Sequence, residues 1–268
     1  MSAVRVLPDV QEEEDTRGVL LNEVGIAGLS YPVTVLGPDG TTQSTVAEAE
    51  MTVSLAESVR GTHMSRFVEV LHDARETIGP SACLALARTL RDRLDAEEAR
   101  VRLDLPLFVE RRAPVSDQRS LMRVDCRLEA RSGTDERVVI GVSVPVTSLC
   151  PCSKEISDYG AHSQRGRVDI EIDDAAWSQG RPGIWPEELV AIADQAASAP
   201  IFPLLKRVDE RHVTMAAYDK PAFVEDLARD TAVALREDPR VAAFSVAVSN
   251  AESIHDHEAV ARLRWSRT

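Results

Sequence analysis

The sequence predicts an α+β fold in which antiparallel sheets carry helices layered on one face. Three observations lead there. First, strand-like alternation is clean: Met122, Val124, Cys126, Leu128 and Ala130 face one way, while Arg123, Asp125, Arg127, Glu129 and Arg131 face the other. That is the pattern of a half-buried antiparallel strand. Second, apolar residues at helical spacing fill paired stretches between the strands, as in Leu84, Leu86, Ala87, Leu90 and Leu94. Third, the order ββααββ runs twice along the chain. Runs of strands separated by runs of helices indicate α+β rather than alternating βαβ units.

Taken in order, residues 1–17 hold Gln11-Glu-Glu-Glu-Asp15 and no periodicity, and are expected to form a mobile acidic tail. Residues 18–134 make the first module. A β-branched strand runs from Gly18 to Leu36, turns at Gly37-Pro-Asp-Gly40, and is followed by a strand over about 45–55. Gly61-Thr-His-Met-Ser-Arg66 opens a helix through Phe67, Val68, Val70 and Leu71, and a longer helix covers about 81–98. Two strands close the module. After the turn at Ser132-Gly-Thr-Asp135, residues 135–268 repeat the order and carry most of the candidate site. A strand covers Val138–Val146, and the next alternates Val168, Ile170 and Ile172 with Asp169, Glu171 and Asp173. Helices start after Pro186 and Pro221, in keeping with the preference of proline for a first turn. Strands over Val241–Val248 and Ala259–Trp265 end the chain.

The chain has 268 residues, of which 44% are hydrophobic and only 4% aromatic, so its core is aliphatic. A net charge of −13 disfavours a general nucleic-acid or anionic-membrane surface, since both need basic patches. A polyanionic ligand then requires a local cluster of cations. No apolar run approaches the roughly twenty residues of a membrane span, and no signal peptide is visible. The four cysteines read as reduced thiols of a cytoplasmic protein: Cys83 and Cys126 on apolar faces, Cys150 and Cys152 too close for an unstrained disulfide.

The stretch with most chemistry is Ser148-Leu-Cys-Pro-Cys-Ser-Lys-Glu-Ile-Ser-Asp-Tyr-Gly-Ala-His162. It lacks a helix or strand period and reads as a structured loop. Cys150 and His162 can meet on a zinc-type ion as sulfur and nitrogen donors, or act as nucleophile and base. By spacing alone, two buried cysteines and a satisfied histidine is the reading that wins, because Cys-x-Cys is not the usual knuckle spacing.

Pro145-Val-Thr-Ser-Leu-Cys-Pro-Cys-Ser-Lys-Glu-Ile-Ser157 with Gly160-Ala-His-Ser-Gln-Arg165 resembles the signature of the prokaryotic type IB GTP cyclohydrolases. Gly61-Thr-His-Met-Ser-Arg66, Leu204-Leu-Lys-Arg-Val-Asp-Glu210, Phe223-Val-Glu-Asp226 and Glu252-Ser-Ile-His255 agree, in the family's order, from about Gly18 onward. Val208 stands where a proline is common and Lys220 where an asparagine is common.

The resemblance implies a tunnelling fold of two tandem ββααββ modules, assembled as a homotetramer with sites at subunit interfaces. It implies metal-dependent hydrolysis of GTP to 7,8-dihydroneopterin triphosphate and formate, the first step of folate and pterin biosynthesis. It gives Cys150, His162 and Glu210 to a divalent metal (Zn, Fe or Mn), with Cys152 as a further ligand or a neighbouring thiol that tunes Cys150. Cys150, His255 and Glu252 become the catalytic set, with His255 moving protons. Glu225 is expected in the first turn of its helix, where an ionised carboxylate is favoured, and the resemblance assigns it the guanine base. Without the family, Glu210 and Glu225 would pass for surface carboxylates. Triphosphate is expected to meet Lys206 and Arg207 first, then Arg165, with Lys154 and Arg66 as further candidates. His63 has a capping role as readily as a site role, and His257 reads as structural. Two other classes fit part of the pattern. A nitrile reductase of related fold would use Cys150 as nucleophile, but its Glu-Ser-Lys-Ser segment is absent here. A non-catalytic purine-binding protein would keep the fold alone.

Overall fold

The computed structural model describes residues 9–11 and 13–267. Its strands are β1 (Leu21–Leu36), β2 (Thr42–Leu55), β3 (Ala99–Arg112), β4 (Arg119–Ser132), β5 (Arg137–Leu149), β6 (Ser163–Asp174), β7 (Ala199–Pro200), β8 (Val241–Ala251) and β9 (Glu258–Ser266). Its helices are α1 (Met64–Ala74), α2 (Pro80–Arg93), α3 (Pro151–Ile156), α4 (Ala175–Ser178), α5 (Pro186–Ala196), α6 (Arg207–Asp219) and α7 (Val224–Glu237).

The strands form one nine-stranded sheet in the order β1-β2-β3-β4-β5-β6-β8-β9, with β7 paired to β5. Every pairing of these strands is antiparallel. This corrects the expected fold of two tunnelling-fold modules, each with its own sheet. The reason lies at the join. Only residues 133–136 connect β4 to β5, and so short a link forces the two strands to pair. They do so from Asp125↔Ser143 to Arg131↔Arg137, which makes the two halves one sheet.

The alternation read from sequence decides the layering. On one face, Met51, Leu103, Leu128, Ile140, Ile170 and Ile172 are buried under Leu71 of α1, Leu90 of α2, Leu189 of α5 and Leu227 of α7. Each such side chain contributes roughly 1.5–3 kcal/mol by leaving water. The opposite face is charged. Arg100 bonds Glu129 and Glu50, and Arg127 bonds Asp104 and reaches Glu171. A cleft of about 940 Å³ lies along this face, lined by Asp104, Arg123, Arg127, Asp169, Glu171 and Arg262 among others.

Smaller differences have local causes. The second long helix ends at Arg93 rather than at Glu98, because Asp95 takes a left-handed conformation (φ 51°). The Cys/His segment is not all loop: β5 runs on to Leu149, α3 follows, and β6 starts at Ser163. The segment after Leu204 winds into α6, which carries Glu210. Of the acidic tail, residues 1–8 and 12 lie outside the described residues. Glu14 bridges to Val59, and the Asp15 N–H donates to the Ser58 carbonyl at 2.9 Å. Among the described residues, no helix is long and apolar enough to cross a membrane.

Candidate active site

β5 and β6 leave the sheet side by side, and their last pairs are Ser148↔Gln164 and Leu149↔Ser163. Beyond that pair the chain turns into α3. Cys150 is the residue before its first turn, with Pro151 at the first helical position, where a missing N–H costs nothing. The Cys150 sulfur accepts a hydrogen bond from the Ser153 N–H at 3.4 Å. The Cys150 N–H donates to the His162 carbonyl at 3.1 Å, and the Ser153 hydroxyl accepts from the His162 N–H at 3.1 Å. Thiol and imidazole therefore sit on a backbone closed upon itself. Cys150 is half-buried and Cys152, one step further round α3, is exposed.

β6, β8 and the turn that follows β8 bring the rest. His162 Nδ1 lies 2.9 Å from Gln164 Oε1, 3.4 Å from Ser253 Oγ and 3.9 Å from Glu252 Oε2. Gln164 Nε2 donates to Glu252 Oε1 at 3.4 Å and to Ser148 Oγ at 3.5 Å. Ser148 Oγ also accepts from Asn250 Nδ2 at 3.1 Å and donates to the Ala222 carbonyl at 2.9 Å. Ser148, Gln164 and Asn250 are all buried. Gly166 opposes Asn250 in the sheet, and a Cβ there would come within 2.6 Å of Asn250 Oδ1. Only glycine lets that amide lie flat beneath the site.

Among the described residues, no side chain of the other expected site residues hydrogen-bonds to this cluster. Glu210 is exposed in the first turn of α6, and Lys206 and Arg207 are exposed at its start. The α6 start is held by Asp209, a buried carboxylate. It accepts from the Ser116 hydroxyl and from the N–H groups of Val115, Ser116 and Lys206. Burial pushes the Asp209 carboxyl up, but these donors outweigh it and hold the group far below the usual range. Lys154 is engaged with the far end of α6, 2.6 Å from the Tyr218 carbonyl and 4.2 Å from the Tyr218 ring centre. Glu225 is exposed in the first turn of α7 and has no ion-pair partner among the described residues. Arg165 is exposed on β6, opposite Thr147 and Ala251. His255 is exposed between β8 and β9, stacked on His257 with ring centres 5.1 Å apart. His63 reaches Asp9 at 3.2 Å, and Arg66 shares a cleft with it and Gln11, away from α3.

Among the described residues, no three His, Cys, Asp or Glu side chains stand close enough together to hold an ion. The donor chemistry fits a borderline metal at two points, the Cys150 sulfur and the His162 Nε2 left over by the Nδ1 contacts. Glu210 is not gathered with them in this arrangement.

Sequence reasoning passed over Ser148, Gln164 and Asn250 as site residues. The signal was present: each extends the inward-facing set of its strand, after Val144 and Val146, before Gly166 and Val168, and after Val246 and Val248. A polar group at the end of a buried apolar row needs a partner.

Cys150, His162 and Glu252 stand at one end of the antiparallel sheet of an α+β chain, and the comparisons with known proteins define its class as an enzyme. The chain matches the family described as type I GTP cyclohydrolase folE2 over residues 7–261. It is 42% identical over 260 residues to GTP cyclohydrolase FolE2 of Caldicellulosiruptor saccharolyticus, covering 97% of this chain and 99% of that one. It is 46% identical over 257 residues to GTP cyclohydrolase FolE2 of Pseudothermotoga lettingae, covering 95% and 97%. This chain belongs to the type I GTP cyclohydrolase folE2 family. The resemblance read from the sequence therefore holds at the level of a GTP cyclohydrolase, and the family matched is folE2. Among solved structures it is similar to urate oxidase from Bacillus subtilis, with a TM-score of 0.51 at 10% identity over 91% of this chain and 98% of that one. That likeness concerns the fold alone.

Proposed function

We infer that the chain is a GTP cyclohydrolase of folate biosynthesis. In the overall reaction GTP takes up water, C8 departs as formate, and the opened ring and ribose reclose to 7,8-dihydroneopterin triphosphate. The observation that carries this reading is the match to the folE2 family over residues 7–261, in a chain that joins Cys150 to His162 through the backbone and sets Glu252 3.9 Å from the His162 ring. Cys150 and His162 are proposed to hold a divalent metal (Zn, Fe or Mn), with Glu210 as third donor and Cys152 as a nearby thiol. When bound, such an ion supplies Lewis acidity and water of lowered pKa.

Glu225 accepts the N1–H and 2-amino hydrogens of guanine as a two-pronged carboxylate. Its exposure, with no ion-pair partner among the described residues, leaves both oxygens available. Lys206, Arg207 and Arg165, all exposed, take the triphosphate. His255 moves protons during ring opening and reclosure, with His257 stacked against it. Ile156 at 81% and Tyr159 at 100% exposure, with Phe223 and Ile254 also exposed, border the site. Exposed apolar side chains grouped in one region mark interaction surfaces, which supports a homotetramer that covers these. The four free cysteines support a cytoplasmic location. Formate and fluorescent pterin formed from GTP by the purified chain, measured with each metal in turn, tests the reading. No formate with any metal would refute it.

A further inference from the structure

Around His162 Nδ1 stand three oxygens: Gln164 Oε1 at 2.9 Å, Ser253 Oγ at 3.4 Å and Glu252 Oε2 at 3.9 Å. The orientation of the Gln164 amide decides what Nδ1 meets. A glutamine amide has one accepting end and one donating end, and an ionised carboxylate only accepts. The carboxylate of Glu252 lies on one side, 3.4 Å from Nε2, so the donating end must turn to it. Ser148 Oγ holds the same NH₂ from below at 3.5 Å, and has spent its own proton on the Ala222 carbonyl. The accepting end is thereby aimed at His162.

We propose that Gln164 is a positioning residue. Its amide, oriented by Glu252 and Ser148, keeps the proton of His162 on Nδ1 and leaves the Nε2 lone pair free. The inference rests on the reading of His162 as a metal donor, and it gives Glu252 a part in the site that needs no contact with GTP. Three features make the device rigid. Gln164 is 8% exposed and Ser148 fully buried, so the protein partners dominate what the amide meets. Ser148 and Gln164 are direct partners in the β5–β6 register, so the sheet itself sets their spacing. Asn250 donates to Ser148 from β8, which fills the acceptor side of the hydroxyl. A ligating histidine whose other nitrogen is held in this way binds metal more tightly, and loss of such a partner typically costs 10–100-fold in affinity.

The test uses metal-free full-length protein with ¹⁵N-labelled histidine. Nitrogen–proton correlation spectra distinguish the two neutral tautomers, and the His162 signals are identified by their loss in His162→Ala. The parent is expected to show the Nδ1–H form. Gln164→Met, similar in size but without the amide, is expected to show a mixture of tautomers. It should also bind Zn²⁺ 10–100-fold more weakly in a competition titration with a chromophoric chelator. A parent with His162 in the Nε2–H form overturns the proposal, even if Gln164→Met fails to fold. So does a folded Gln164→Met protein that keeps the parent's tautomer and affinity. If the parent shows the Nδ1–H form but binds no divalent ion, the metal reading fails while the orientation of His162 stands.

Discussion

The backbone N–H of Cys150 donates to the carbonyl of His162 across 3.1 Å, one step beyond the last β5–β6 pair, Leu149↔Ser163. The two residues farthest apart in the Cys/His segment are thus adjacent in space. The sheet ladder below them, and not the α3 turn, sets their separation. The turn can vary in sequence while the backbones of Cys150 and His162 stay together.

The buried floor of this arrangement should carry stability as well as orientation. Ser148→Ala removes a hydroxyl that satisfies the Asn250 and Gln164 amides and the Ala222 carbonyl. Stranding buried polar groups costs about 1–3 kcal/mol. Urea unfolding of the variant should show that loss with an unchanged slope. An unchanged midpoint would mean the floor is wet.

A second joint lies between the strands and the helical layer. Arg111 of β3 makes a two-pronged ion pair with Asp194 of α5, and both side chains are nearly buried. Arg111→Met alone leaves Asp194 charged in a dry site and should cost about 3–5 kcal/mol. The double variant Arg111→Met/Asp194→Leu should recover most of that, since apolar residues of similar volume often replace such pairs at little cost. A double variant as unstable as the single one would show that the pair is more than a compensated charge.

Acid should act on the start of α6. The Asp209 carboxyl is held far below its unfolded value of 3.8 by donors from Ser116, Val115 and Lys206. A depressed carboxylate contributes stability that is fully present above pH 3.8 and is lost as the pH falls through the folded value. Between neutrality and about pH 4 the contribution of Asp209 should therefore be constant, and Asp209→Asn should melt lower than the parent throughout that range. The gap should narrow below it. A gap that stays the same at the acid end would contradict the assignment.

Much of this fold could be read from the chain, and the reasons for success and failure are physical. β4 was legible because Met122 to Arg131 alternate regardless of which strands lie alongside. The union of all strands in one sheet was not, because pairing partners leave no trace in a period of two. α6 was missed because only Asp209 and Ala217 are buried in it, so it presents no apolar stripe. α3 was missed because none of its residues is buried. Cys150 and His162 were legible as candidates through the family phrase around them, because a Cys-x-Cys pair alone has an ordinary reading. Gln164 was not, because its importance comes from lying opposite Ser148, and register is a property of two strands.

Base recognition should be separable from stability. Glu225→Gln exchanges an accepting oxygen for an NH₂ that would face a guanine donor. At about 1–3 kcal/mol for the unpaired group, kcat/KM for GTP should fall by roughly a hundredfold. Metal content and melting temperature should stay with the parent, because a first-turn carboxylate contributes only about 0.3–1 kcal/mol through the helix dipole. ATP lacks both donors and should be rejected by the parent. Comparable kinetics on GTP in parent and variant would remove Glu225 from the base site.

The central claim is that Cys150 and His162 hold the metal on which GTP hydrolysis depends. Its most direct test is formate released from GTP by metal-stripped protein reloaded with one divalent ion at a time, in the parent and in Cys150→Ala. One formate per GTP consumed is expected from the reloaded parent, and neither retained metal nor formate from Cys150→Ala. A Cys150→Ala protein that keeps its metal and releases formate at the parent's rate would contradict it.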